Sequence, residues 1–303
     1  MHYKYLVKSV PRLHKSPYRP GRPLIFMHVP KSSGMAVTQG LGLAINPQQH
    51  YDGFDGVLFG KFRSFHTISD SINLYIWPKT LPSGADLFVG HIAYSSAARD
   101  YGDGQYMTVA REPYSRITSH WLYWRTQSDT MLEPWGEWRS WVVKSRQSLE
   151  DFLSDKDLAC QLDNLFLRML LWPHPLIPED NHIEKRHDKL LLKEALSRLE
   201  NFSFIDLIEN PNFKVNIESW LGQKFDYSRV NETEPVSLEQ KGPLHEQMTS
   251  RALDLLEAYS RLDLKLWRAI GRMRMPQVDL VRFRERVLMA NFSKHAWLMA
   301  SRS

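Results

Sequence analysis

Three short runs hold residues whose types and spacing can do chemistry on an anion. Lys31, Ser32, Ser33 and Gly34 set a cation, two hydroxyls and a glycine between an apolar run and a helical one. At such a junction the backbone N–H groups lack intrahelical partners and the helix dipole favours negative charge, so a phosphate is the expected guest and Lys31 adds a full positive charge. Gly90-His91 ends a second apolar run. An imidazole there titrates near neutral pH and can take a proton from a hydroxyl. Arg111 follows a third run, with Ser119 further on. A guanidinium fork and a hydroxyl donor can converge on one phosphate.

The elements that must position these groups read as an α/β fold. Residues 24–29 are a short apolar run ended by Pro30, as in a parallel strand covered on both faces, and a helix follows over about 35–43. Residues 86–91 and 106–110 predict two further buried strands, the second running into a helix over 115–125 with Pro113 in its first turn. Residues 202–208 predict a fourth strand, followed by a helix over 211–221 that Gly222 stops. Ligands of open α/β sheets gather at the carboxyl ends of the strands, which is where Lys31, His91 and Arg111 would all lie.

The remaining segments are less regular. Residues 46–83, rich in glycine and aromatics, predict a surface wrap with one or two short strands or turns. Residues 148–155 and 157–172 read as helices, the first with a capping Ser148 and Asp151, and 172–178 as a break. The run 181–187 holds two histidines and an acid but no second cluster, so a solvated helix start is expected rather than a metal site. Residues 189–200 and 244–270 predict helices, and 276–299 predicts a basic one with Leu280, Phe283, Val287 and Leu288 along one side. Five of the ten tryptophans, Trp121, Trp124, Trp135, Trp138 and Trp141, lie close together. Such rings can stack on sugars, but their helical spacing favours a core or lid cluster.

The phosphate turn lacks the Walker A spelling, which sets a kinase-like nucleotide enzyme behind other readings. The stretch His28-Val29-Pro30-Lys31-Ser32-Ser33-Gly34-Met35-Ala36 instead resembles the 5′-phosphosulfate loop of sulfotransferases that use 3′-phosphoadenosine 5′-phosphosulfate, which typically reads His-x-Pro-Lys-Thr-Gly-Gly-Thr-Ser. The resemblance is closest to the Golgi-type carbohydrate family and its bacterial relatives. Met35 and Ala36 replace two hydroxyl residues of that pattern; Ser32, Ser33 and Thr38 offer other hydroxyls. Arg111-Glu112-Pro113, Arg116 and Ser119 are similar to the family's Arg-Asp-Pro-x-x-Arg-x-x-Ser, and Gly90-His91 fills the slot of its Gly-His. The turn at Asn231-Glu232-Thr233 and the run Asp263 to Trp267 resemble later family features.

This resemblance covers residues 23–270 and implies a P-loop-like three-layer fold with a central, mostly parallel sheet flanked by helices. It implies His91 as catalytic base and Lys31 at the leaving 5′-phosphate. It places Lys31, Ser32, Ser33, Gly34 and Met35 around that phosphate, and Arg111 and Ser119 on the 3′-phosphate. The implied donor is 3′-phosphoadenosine 5′-phosphosulfate (PAPS), with no metal. The acceptor is expected to be a hydroxyl of a glycan or glycolipid. A protein tyrosine is the alternative, and a non-catalytic donor or glycan binder with a degenerate loop is the reading from another class.

Composition bounds these expectations. With 303 residues, 43% of them hydrophobic, the chain can bury a full core. No run of about 18 apolar residues predicts a membrane span, and the N-terminus does not read as a secretory signal. A single cysteine, Cys160, fits a reducing compartment, and a bacterial cytoplasmic enzyme is the expectation. The net charge of +5 is concentrated in a basic arm, 1–22, and a basic tail, 271–303. These flank the 23–270 domain with its Trp-rich insertion at about 121–145. Solvated ends are favoured over nucleic-acid binding, with docking the default for the terminal helix and peripheral membrane contact an alternative.

Overall fold

The computed structural model describes residues 17–55, 72–75, 81, 83–226, 236 and 241–300. Six strands form one sheet: β1 (Leu24–Met27), β2 (His50–Asp55), β3 (Ile72–Tyr75), β4 (Leu87–His91), β5 (Gln105–Ala110) and β6 (Phe202–Leu207). Their order is β3-β2-β4-β1-β5-β6, and every neighbouring pair is parallel. The helices between the first strands are α1 (Gly34–Ile45), α2 (Tyr94–Asp100) and α3 (Pro113–Arg125). Short helices follow, α4 (Asp129–Leu132), α5 (Arg139–Val142), α6 (Leu149–Ser154), α7 (Ala159–Leu162) and α8 (Leu165–Leu171), then α9 (Asp188–Leu199). After β6 come α10 (Phe213–Leu221), α11 (Leu244–Gln247), α12 (Ser250–Arg274) and α13 (Leu280–Ala300).

Parallel pairing requires crossovers, and the crossover helices cover both faces of the sheet, which is why β1 and the first three residues of β4 are apolar throughout. Leu24 and Phe26 point into one core with Val37 and Leu41 of α1 and Ile217 of α10. Ile25 and Met27, alternating with them, point into the other with Ile117 and Trp121 of α3 and Leu266 of α12. The chain leaves β1 toward β2 on one side and returns through β4 to β5 on the other, so the strand order reverses at β1. The crevice at such a reversal is where an open α/β sheet holds ligands.

The one or two short strands expected within 46–83 are β2 and β3, which pair in parallel with each other and, through β2, with β4 in the main sheet. Several sequence expectations need correction. The single helix expected over 157–172 is broken into a 3-10 turn at Lys156–Leu158, α7 and α8, because Asn164 takes a left-handed conformation with φ 48°. The helix expected over 244–270 restarts at α12, where Thr249 accepts a capping bond from the Ala252 N–H. The tail helix begins at Leu280, later than expected. The Asn231 to Thr233 turn and residues 1–16 of the arm lie outside the described residues; within 17–22, the Tyr18 N–H donates to Trp220 O at 3.0 Å. Among the described residues no helix is long and apolar enough to cross a membrane.

Candidate functional site

The order β4-β1-β5 brings the three chemical runs side by side at the carboxyl ends of adjacent strands, with Met27 beside Gly90 and Phe26 beside Met107. After β1 the chain turns sharply, and Lys31 (φ 64°) and Ser33 (φ 60°) both hold left-handed backbone. Neither is glycine, and such conformations cost about 1–3 kcal/mol each unless the surroundings enforce them; they cluster at functional sites. Ser33 is the N-cap of α1 without a side-chain capping bond, so its hydroxyl does not saturate the helix start. Ser32 is fully buried and its Oγ has no hydrogen-bond partner, whereas Met35 is exposed. Gly34 is required by contact: a Cβ there would lie 1.8 Å from Nε2 of His28.

His28 and His91 face each other across the β1–β4 pair, ring centroids 4.4 Å apart. Nδ1 of His91 lies 2.7 Å from the backbone oxygen of His28. A carbonyl can only accept, so Nδ1 carries the proton and Nε2 of the neutral ring keeps its lone pair. Burial pushes His91 down to about 4; the bond to the His28 carbonyl pulls it part of the way back up, and the nearby Lys31 charge adds a smaller push down. The ring is thus neutral at pH 7, as a base must be. His28 is held well below the usual histidine range by burial first, then by His91 and Lys31.

Lys31 packs its ammonium over the Tyr123 ring of α3, 3.8 Å from the centroid. Burial, then repulsion from Arg111, lowers it to about 7. Burial and the neighbouring guanidinium thus weaken the hold of Lys31 on its proton, which the sequence alone does not show.

Arg111 leaves the end of β5, where Glu112 caps α3 by accepting from the Ser115 N–H at 2.7 Å and Pro113 occupies the first turn. The guanidinium donates from Nη1 to Lys31 O at 2.9 Å, which ties the phosphate turn to the arginine run. Its Nη2 donates to Oδ1 of Asn291 on α13 at 2.7 Å. Ser119 is buried on α3 one turn before Tyr123, on the helical face that meets Lys31. Lys31, His91 and Arg111 are thus directly assembled, and Ser119 is placed by helical spacing.

The Trp-rich stretch forms a wall beside His91. Phe54 of β2 stands 6.0 Å from the His91 ring and 5.6 Å from Trp138, and Trp138 stands 5.9 Å from Trp124. Trp121, Trp124 and Trp138 are buried, while Trp135 and Trp141 are only partly covered. Three of the five are packing groups, so the case for sugar stacking rests on the other two.

Sequence reasoning assigned no role to His28, His120, Tyr123 or Asn291. His120, on α3, is buried with neither ring nitrogen hydrogen-bonded, and burial, then Arg116 and Lys31, hold it well below the usual range. The readable signal is a single histidine beside each of two chemical runs, His28 before Lys31 and His120 after Ser119; Asn291 has a weaker one, a polar residue inside a largely apolar helical row. Asp263 turns out to be structural, accepting from the Phe166 and Leu167 N–H groups at the start of α8. Among the described residues no cluster of three or more His, Cys, Asp or Glu is placed to hold a metal ion. No protein-family model matches the chain, and no curated protein matches it.

Proposed function

We propose that the protein transfers the sulfuryl group of PAPS to a hydroxyl of a glycan or glycolipid. The observation that carries the reading is the assembly of Lys31, His91 and Arg111 at the strand-order reversal, with Arg111 bonded to the Lys31 carbonyl. Lys31, lowered first by burial and then by the Arg111 charge, lies near a guanidinium that it repels, and an anion between the two would relieve that repulsion. The buried Ser32 Oγ and His28 Nε2, neither with a partner, add polar atoms that a bound phosphosulfate would satisfy.

In this reading the turn 31–36 cradles the 5′-phosphate with backbone N–H groups, as P-loop-like folds do. Arg111 and Ser119 hold the 3′-phosphate. Nε2 of His91 takes the acceptor proton as the oxygen–sulfur bond forms, and the bond from sulfur to the 5′-phosphate oxygen breaks. Lys31 meets the charge that develops on that oxygen, and adenosine 3′,5′-bisphosphate departs. No step calls on a metal. The acceptor assignment rests on the family resemblance and on the partly covered Trp141, whose ring lies 5.5 Å from Trp138. A cytoplasmic bacterial setting follows the same resemblance and the single cysteine.

Calorimetric binding of adenosine 3′,5′-bisphosphate against 5′-AMP tests the donor site. A preference for the bisphosphate supports the reading and leads to transfer assays with PAPS, beginning with glycans and including tyrosine peptides. Equal or absent binding overturns it, and ATP displacing the bisphosphate at equal concentration would favour a nucleotide enzyme of another kind. Binding without transfer to any acceptor would favour a non-catalytic binder, a reading to which the exposed Met35 and the loss of hydroxyls at 35 and 36 lend weight.

A further inference from the structure

We infer that Asn291 of α13 is a positioning residue for Arg111, and that α13 forms the third wall of the 3′-phosphate pocket. The inference deepens the proposed function and rests on it. α13 turns one row of side chains inward, with Phe283, Val287, His295 and Met299 buried at steps of one helical turn and Asn291 in the middle of the row. An amide in an apolar row costs desolvation unless it finds a partner. Here the partner is Arg111, whose Nη2 donates to Oδ1 of Asn291 at 2.7 Å.

The orientation of the amide is determined. Arg111 can only donate, so the oxygen must face it, and Nδ2 of Asn291 donates back to Val287 O within the helix at 2.9 Å. The helix is itself pinned on either side of Asn291. Arg284 donates to Oε1 of Glu112, the cap of α3, at 2.9 Å, and Nδ1 of His295 lies 3.1 Å from Oγ1 of Thr118 on α3. Lys31 O and Asn291 Oδ1 therefore each hold one of the two terminal nitrogens of Arg111. That fixes the plane of the fork before a phosphate arrives, so little side-chain entropy remains to be lost on binding. Such a device tunes selectivity for a 3′-phosphate without touching the rest of the nucleotide.

The test measures, on the full chain, the ratio of affinities for adenosine 3′,5′-bisphosphate and 5′-AMP. Asn291→Ala should reduce that ratio about five- to twenty-fold while 5′-AMP binding stays within about twofold. Asn291→Asp keeps the shape and puts a carboxylate on the guanidinium, so it should reduce the ratio further and reads the contact even where alanine disturbs packing. Met289→Ala, on the exposed side of the same helix, should leave the ratio unchanged. A residue that only packs α13 would lower thermal stability without moving the ratio. If the wild-type chain prefers the bisphosphate and both Asn291 variants keep or increase that preference, the inference fails alone. If the wild-type chain shows no preference, the proposed function fails and takes the inference with it.

Discussion

Nδ1 of His91 lies 2.7 Å from the backbone oxygen of His28, across two adjacent parallel strands. This single contact fixes the tautomer of the ring and leaves Nε2 as the basic atom. The residue that follows β1 thus orients the ring that ends β4, and the chain goes straight on into the turn at Lys31–Ser33. In the proposed reaction, base and phosphate site are thereby coupled through the few residues that follow β1.

His91→Ala should lower kcat by about 10²- to 10⁴-fold, the range for removal of a general base, while bisphosphate affinity changes less than about twofold. Loss of affinity on the same scale as kcat would make His91 a binding or structural group instead. In the wild type, His91 near 4 is protonated only in acid, so kcat/KM should hold down to about pH 5 and fall as pH drops through 4.

Lys31 titrates from the other side. Its folded-state value near 7 means the cation is lost as pH rises, so bisphosphate affinity and kcat/KM should decline above pH 7. Binding a dianion restores the charge, so calorimetry at pH 8 in buffers of different ionisation enthalpy should register proton uptake. The stability sign is also determined: the unfolded lysine keeps its proton up to about 10.4, the folded one only to about 7. Folding therefore grows less favourable as pH falls from 10 toward 7, and levels off below that. Lys31→Met should raise the Tm of the ligand-free protein at pH 7 and abolish transfer, a stability gain at the expense of the site. An unchanged or lower Tm would contradict the burial cost assigned to Lys31.

Much of this arrangement was legible in the sequence, for a physical reason. β1, β4 and β5 lie inside a sheet covered on both faces, so each reads as a short apolar run, and the chemical residues sit where those runs stop. β2 was legible only as one of the short strands or turns expected in 46–83 and could not be placed: its half-buried, glycine-containing His50–Asp55 has no apolar run, and its pairing with β4 and β3 makes it a strand of the sheet. The break at Asn164 could not be read from local periodicity. Its left-handed backbone is held from far along the chain, where Oδ1 accepts from the Leu262 N–H at 2.7 Å and its own N–H donates to Tyr259 O at 2.6 Å. Asn291 is the same kind of case, since its partner Arg111 is on the other side of the domain in sequence. The lowering of Lys31 was not legible because its burial and its neighbour Arg111 are tertiary facts.

Arg111→Ala should weaken the bisphosphate about 100-fold and 5′-AMP only a few-fold, because a phosphate loses charge-assisted bonds while the nucleoside loses nothing. Arg111→Lys should recover little of this. An ammonium cannot reach Lys31 O and Asn291 Oδ1 together and still face a phosphate. Equal losses for both nucleotides would remove the 3′-phosphate assignment.

Gly34→Ala should act on catalysis from a distance. A Cβ there would meet Nε2 of His28 at 1.8 Å and the other ring atoms at about 2.0 Å, closer than any side chain tolerates, so the imidazole must move. Forcing atoms into a packed site costs about 1–3 kcal/mol, and here the shift reaches the strand segment whose carbonyl orients His91. The expected result is a lower Tm and a fall in kcat larger than the change in bisphosphate affinity. His28→Ala removes the obstructing ring but keeps the backbone carbonyl, so the double variant His28→Ala, Gly34→Ala should recover part of both losses. Thermal melts and single-turnover transfer on the four members of this cycle decide it: strict additivity of the two substitutions would mean that Gly34 is needed for the phosphate turn itself and not for the room it gives His28.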